Sequence, residues 1–239
     1  MSRGKVLRAL GMTKKFGGVT AVDNVDIEVG RCEIVGLIGP NGAGKTTLLS
    51  LISGLIKPDS GYVELEGVRV TGLRPHVLMR MGLARTFQIP KLFKNMTVLE
   101  NVLVPMASTE LGGAEMHNKA SKLLKLVGLT GMENMLASEL SGGQQKLLEI
   151  ARALITDPKV VLMDEPLAGV HPNIKETILS TVRDMKIGGT SFLIVSHDMK
   201  AITSVSDKLV AMNSGKKIAE GVPSEVTLSA EVIESYLGV

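Results

Sequence analysis

GPNGAGKTT occupies residues 39–47, directly after the apolar run EIVGLI at 33–38. Gly39, Gly44, Lys45 and Thr46 match G-x-x-x-x-G-K-[ST], and the context is the one this pattern needs: a buried strand before it and, after it, Leu48, Leu49, Ile52 and Leu55 on one predicted helical face. Glycines let successive backbone N–H groups turn toward a phosphate, and the helix N-terminus adds its partial positive charge. Asn41, Gly42, Ala43 and Thr47 complete the loop. Lys45 neutralises the outer phosphates, and the Thr46 hydroxyl can reach Mg²⁺. A plain glycine turn between strand and helix would share some of these residues. With both flanking elements in place, the ligand expected is a nucleoside triphosphate.

Working outward, the 239 residues are 44% apolar, ample for a core in one large domain or two small ones. Lys+Arg 27 against Asp+Glu 24 gives a net charge of +3, too weak a bias to call for nucleic acid or an anionic membrane surface. The single cysteine, Cys32, excludes an intramolecular disulfide framework and fits a reducing compartment. The N-terminal stretch MSRGKVLR lacks the apolar core of a secretory signal, and no run is long enough to span a bilayer. A membrane role is therefore expected only through a partner.

Residues 5–38 and 62–70 read as short strands, with alternation clearest in YVELE at 62–66. Met116, Ala120, Leu123, Leu124 and Val127 recur at helical spacing and are closed by Gly128, with a loop expected around residues 108–115. VVLM (160–163) and FLIV (192–195) are continuous apolar runs of the kind buried in a parallel sheet, separated by the helix pattern Ile174, Ile178, Val182, Met185. The expectation is an α/β core with a helical insertion.

A phosphate-binding loop needs a second magnesium anchor at the end of a buried strand, and VVLMDEP (160–166) supplies Asp164. Glu165, one residue on, could polarise the water that attacks the γ-phosphate. LSGGQQK (140–146) precedes Leu147, Ile150, Ala151 and Leu154 on one helical face, and Ser141 with Gln144 forms a capping box. That accounts for Ser141 and Gln144 but not for Gly142 and Gly143, which cost about 1 kcal/mol each against alanine in a helix. Close approach by an anion would account for them.

LSGGQQK, GPNGAGKTT and VVLMDEP together resemble the ATP-binding subunits of ABC transporters, over nearly the whole chain. The resemblance implies a RecA/F1-like P-loop core of mainly parallel sheet (1–88 and 156–239), carrying an N-terminal antiparallel β subdomain, with a helical signature subdomain at 89–155. It implies ATP and Mg²⁺ as ligands, the metal held by Thr46, Gln88 and Asp164. Two cassettes, identical or paralogous, would face head to tail, so that Ser141, Gly142, Gly143 and Gln144 of one cover the ATP on the other's P-loop.

Further positions follow from the same resemblance. Gln88 in RTFQ corresponds to the glutamine that touches metal and water, His197 in IVSHD to the histidine that contacts the γ-phosphate, and Phe16 in KKFGG to the aromatic that stacks on adenine. One departure is His171, in LAGVHP (167–172), where the family often has Asp or Asn. FGGVTAV (16–22), ARTFQ (84–88), LFKNMTVLENV (92–102), AEG (219–221) and YLG (236–238) are similar to LivG-type ATPases of branched-chain amino-acid importers; close relatives serve urea or other amides. Residues 89–104 lie where a membrane permease subunit would dock. The chain would sit peripherally at the cytoplasmic face of the membrane, working indirectly with an external substrate-binding protein. A soluble ABC ATPase of repair or translation would usually show a coiled-coil insertion or a second fused cassette, neither of which is present.

Overall fold

The computed structural model describes residues 4–107 and 112–237. Part of the loop expected at 108–115, residues 108–111, and the last glycine of YLG lie outside the described residues.

β1 (Lys5–Phe16) and β2 (Val19–Gly30) form a hairpin of two 12-residue strands, longer than the short strands read from the sequence. Val25, Ile27 and Val29 alternate inward along β2, while register shifts along the pair break the strict period that would have signalled its length. β4 (Ser60–Leu65) and β5 (Val68–Arg69) complete an antiparallel sheet of order β2-β1-β4-β5.

The second sheet has the order β10-β9-β3-β8-β7-β6, from β3 (Ile34–Ile38), β6 (Leu83–Arg85), β7 (Val160–Asp164), β8 (Ser191–Val195), β9 (Lys208–Asn213) and β10 (Lys216–Gly221). All pairings are parallel except β10 with β9. β3, β7 and β8 are buried along their whole length, which is why they read as unbroken apolar runs. The period of two sorts their side chains: Ile34, Ile38, Val161, Met163, Phe192 and Ile194 belong to one core, and Val35, Leu37, Val160, Leu162, Leu193 and Val195 to the other.

α1 (Lys45–Ile52) and α2 (Pro75–Met81) contribute to the second core. The helix after the loop stops sooner than expected: α1 ends at Ile52, and Leu55 lies beyond it, 47% exposed. Gly54 at φ +70 turns the chain there, next to the Leu73 carbonyl. α3 (Val98–Leu103), α4 (Gly113–Leu126) and α5 (Gly142–Leu154) pack on one another, and their apolar residues merge with the first core instead of forming a separate one. α6 (Pro172–Ile187) and α7 (Met199–Val205) lie on the same side of the sheet, followed by α8 (Pro223–Val226) and α9 (Ala230–Leu237). α7 approaches β3 so closely that a Cβ on Gly36 would meet Ile202 at 2.7 Å and Leu209 of β9 at 2.5 Å. Cross-strand partners Leu37–Val195 and Asp164–Val195 bring the carboxyl ends of β3, β7 and β8 to one level, the edge where open α/β sheets bind ligands.

Candidate active site

The loop between β3 and α1 wraps around its own lysine. Lys45 is 7% exposed, and its Nζ donates to the carbonyls of Gly39 at 2.6 Å and Pro40 at 2.8 Å. Burial pushes its pKa below the ordinary lysine value, with the charges of Glu165 and Asp164 acting the other way. Two glycines are sterically obligatory. At Gly39 (φ +145) an added Cβ would lie 2.1 Å from the Met212 carbonyl oxygen, and at Gly44 (φ +96) 2.2 Å from that of Ala21. Asn41, Gly42, Ala43, Gly44, Lys45, Thr46 and Thr47 line a cavity of about 450 Å³, large enough for several phosphates.

The same cavity is walled by Gln88 and Glu165 and, on its other rim, by Val19, Thr20, Ala21, Ser214 and Gly215. The rim residues of β2 and of the β9–β10 turn were not recognisable in the sequence, since nothing local marks them as ligand contacts. Phe16 is 49% exposed at the end of β1, paired across the hairpin with Val19, and the Lys14 ammonium lies 5.6 Å from its ring centroid. It stands beside the cavity rim rather than lining it.

Asp164 ends β7 almost completely buried. Its Oδ1 accepts from the Thr46 hydroxyl at 3.1 Å, and its Oδ2 pairs with Arg85 Nη2 at 3.3 Å. Arg85 also donates to the hydroxyls of Ser50 and Ser53, and its burial is accompanied by a lowered pKa that Asp164 partly offsets. No cluster of three or more His, Cys, Asp or Glu side chains exists among the described residues, so an all-protein metal cage is absent there. One hydroxyl and one carboxylate side by side suit Mg²⁺, which keeps waters and takes its other ligands from phosphate oxygens. Thr46 and Asp164 would hold it, with Gln88 across the cavity.

Glu165 follows immediately, with φ +49, a left-handed conformation that costs a non-glycine residue of order 1–3 kcal/mol. Its N–H donates to the Val195 carbonyl. Its Oε2 accepts from His197 Nδ1 at 2.7 Å and from the His197 N–H at 3.3 Å. A carboxylate facing the cavity and oriented by an imidazole is placed to accept a proton from water.

Ser141 and Gln144 make the predicted capping box: Ser141 N–H donates to Gln144 Oε1 at 2.9 Å, and Gln144 N–H to Ser141 Oγ at 3.4 Å. Ser141 and Gly142 are exposed, and none of residues 141–144 lines the P-loop cavity. A Cβ at Gly142 would meet nothing within 4 Å, so the fold of this chain has no need of glycine there. His171 is the N-cap of α6, its Nδ1 accepting from Asn173 N–H at 3.3 Å ahead of Pro172. Besides the rim, the sequence reading missed the contacts of Arg85 with Asp164, of Lys146 with the Glu165 and Ala168 carbonyls, and of Tyr236, whose hydroxyl accepts from the Gly39 N–H at 2.8 Å across 197 residues.

Fold and site together define an ATP-binding cassette, and residues 22–168 match the family model described as ABC transporter; the chain belongs to that family. It is 37% identical to the high-affinity branched-chain amino acid transport ATP-binding protein BraF of Pseudomonas aeruginosa, over 100% of this chain and 99% of that one. It is 36% identical to LivG of Escherichia coli, which has the same description, over 98% of both. Its structure superposes with a TM-score of 0.89 on the ADP conformation of an ATP-binding cassette of an ABC transporter, 38% identical over 98% of this chain and 99% of that one. A dimeric cassette in a post-hydrolysis state, bound to ADP and phosphate, matches with a TM-score of 0.83 at 28% identity over 91% of this chain and 98% of that one.

Proposed function

We propose that this chain is the ATP-hydrolysing subunit of an importer of branched-chain amino acids. The observation that carries the chemistry is Glu165, held by His197, lining the same cavity as the P-loop. The P-loop amides and Lys45 hold the triphosphate, Glu165 takes the proton of the attacking water, and His197 orients the Glu165 carboxylate. Mg²⁺, when bound by Thr46 and Asp164, neutralises phosphate charge. The cargo follows from the full-length relatives, named for branched-chain amino acid transport.

A second cassette, identical or paralogous, supplies the rest of the pocket. Support comes from the exposed Gly142 beside the N-cap Ser141, where the packing of its own chain does not call for glycine. ATP held between the P-loop of one cassette and the signature of the other closes the dimer, and loss of the γ-phosphate opens it. Permease subunits receive that motion. A cavity of about 230 Å³ between α2, β6 and α5, bracketed by Phe87 and Pro105 at the two ends of the expected docking segment 89–104, suits a short helix from such a subunit. No helix among the described residues is long and apolar enough to cross a membrane, in keeping with peripheral attachment at the cytoplasmic face.

Turnover of ATP by the wild type and its loss in Glu165→Gln, with ATP binding retained, tests the enzyme. Reconstitution with co-purifying permease subunits in vesicles, measuring ATP-dependent leucine uptake, tests the cargo. Stimulation by urea but not by leucine would overturn the cargo assignment.

A further inference from the structure

Lys146 lies one turn into α5, four residues beyond Gly142 of the exposed signature corner. It is 9% exposed. Its Nζ donates to the Glu165 carbonyl at 3.1 Å and to the Ala168 carbonyl at 2.5 Å. The Ala168 N–H in turn donates to the Glu165 carbonyl at 3.2 Å, closing the four residues 165–168 into a turn. One ammonium thus joins both ends of the turn that carries the catalytic carboxylate.

A buried ammonium is an expensive way to fill space, because methionine or leucine would pack there without losing hydration. Desolvation holds its pKa below the usual lysine range, against the opposing charges of Glu165 and Glu149. Glu165 needs external support, since its φ of +49 is disfavoured for a side-chain-bearing residue and persists only where the surroundings determine it. Contacts from outside its own turn hold it at three points: its N–H on Val195 of β8, its carboxylate on His197, and its carbonyl, which also accepts from Ala168, on Lys146. The first two belong to the sheet and its edge. The third belongs to the signature helix.

We propose that Lys146 is a positioning residue that couples the signature corner of α5 to the Glu165 turn of the same chain, so that engagement of the signature adjusts the catalytic carboxylate. Hydrogen bonds weaken steeply beyond about 3.2 Å, so a shift of α5 by about an ångström makes or breaks both contacts. This coupling rests on the reading above that the signature meets the partner cassette's ATP. Each chain's Glu165 then responds to the nucleotide in the other site, and hydrolysis is cooperative.

The test uses the full chain with Lys146→Met, Lys146→Gln and Lys146→Arg, measuring melting temperature, steady-state kcat and KM for ATP, and the Hill coefficient. Lys146→Met is expected to lose roughly tenfold or more in kcat, the scale of sub-ångström misplacement, with KM within about twofold and the Hill coefficient falling toward 1. Lys146→Arg, which keeps charge and donors, restores most of kcat. Should Lys146→Met fail to fold, Lys146→Gln carries the same expectation at smaller size, since its amide reaches one carbonyl. Folded Lys146→Met or Lys146→Gln with wild-type kcat and Hill coefficient overturns the coupling, as does Lys146→Arg no better than Lys146→Met. Failure of a Glu165→Gln chain to dimerise with ATP, alone or with a sister cassette, overturns instead the reading on which the coupling rests.

Discussion

His197 Nδ1 stands 2.7 Å from Glu165 Oε2, and the His197 backbone N–H points at the same oxygen from 3.3 Å. One carboxylate oxygen is therefore fully engaged, and the other is left to face water. With Nδ1 turned to the carboxylate, Nε2 is the ring nitrogen left for a phosphate. His197→Ala should lower kcat by roughly 10²-fold, within the range for general acid–base assistance, and Glu165→Gln by at least as much. Both should keep nucleotide affinity, measured by fluorescence titration with an ATP analogue. Loss of binding in step with kcat would show that the pair holds substrate.

Lys45 gives a pH dependence of definite sign. Its pKa is depressed by burial in the folded protein, and a bound triphosphate must raise it. Binding then takes up a proton wherever the free site is deprotonated. ATP affinity should be constant below the depressed Lys45 value and fall as pH climbs through it toward the ordinary lysine range. Isothermal titration in two buffers of different ionisation enthalpy reads the proton uptake; none at alkaline pH would be incompatible with this assignment.

Arg85 and Asp164 form a buried pair, their side chains 7% and 3% exposed. Removing one partner leaves an uncompensated charge, so Arg85→Met should cost roughly 3–5 kcal/mol in chemical denaturation. Asp164→Asn should weaken Mg²⁺-dependent more than Mg²⁺-free nucleotide binding. The contrast is checked by titrating the metal at fixed nucleotide.

The glycines divide into two kinds, and substitution separates them. Gly39→Ala and Gly44→Ala drive a Cβ into the backbone carbonyls of Met212 and Ala21 and should destabilise the fold. At Gly142 an added Cβ meets nothing within 4 Å, so Gly142→Asp starts into open space. It should melt like the wild type, yet abolish ATP-driven dimerisation in a Glu165→Gln background by setting a carboxylate against the γ-phosphate. Size-exclusion with light scattering distinguishes the two; a Gly142→Asp dimer of normal affinity would remove the signature from the interface.

Tyr236→Phe tests the contact between α9 and the loop. The hydroxyl accepts the Gly39 N–H, and losing it should cost about 1 kcal/mol of stability while the ring continues to pack. Hydrogen exchange at the P-loop amides should quicken.

The P-loop, the Asp164–Glu165 strand end and the capped signature helix were legible in the sequence because each is a local pattern: glycines at forced φ, an apolar run ending in carboxylates, a serine three residues before glutamine. The α1 end, the strand lengths of the first hairpin and the cavity rim were not. α1 stops where Gly54 turns under the Leu73 carbonyl, and β1 and β2 are long because bulges carry them past breaks in alternation. His171 departs from the family pattern and starts α6 as its N-cap, as Pro172 directly after it lets one expect.

What the residues alone determined was the chemistry on offer: a phosphate cradle, a metal-binding hydroxyl and carboxylate, a base and a histidine, each fixed by backbone geometry within a few positions. What only the tertiary structure decided was which of them act together. Parallel strands of equal level bring Asp164 to Thr46, His197 to Glu165 and Arg85 to Asp164, and packing of the helical layer onto the sheet brings Lys146 to Glu165. Those contacts join residues 19 to 118 positions apart, and no local period records them because burial, rather than spacing, selects the partner.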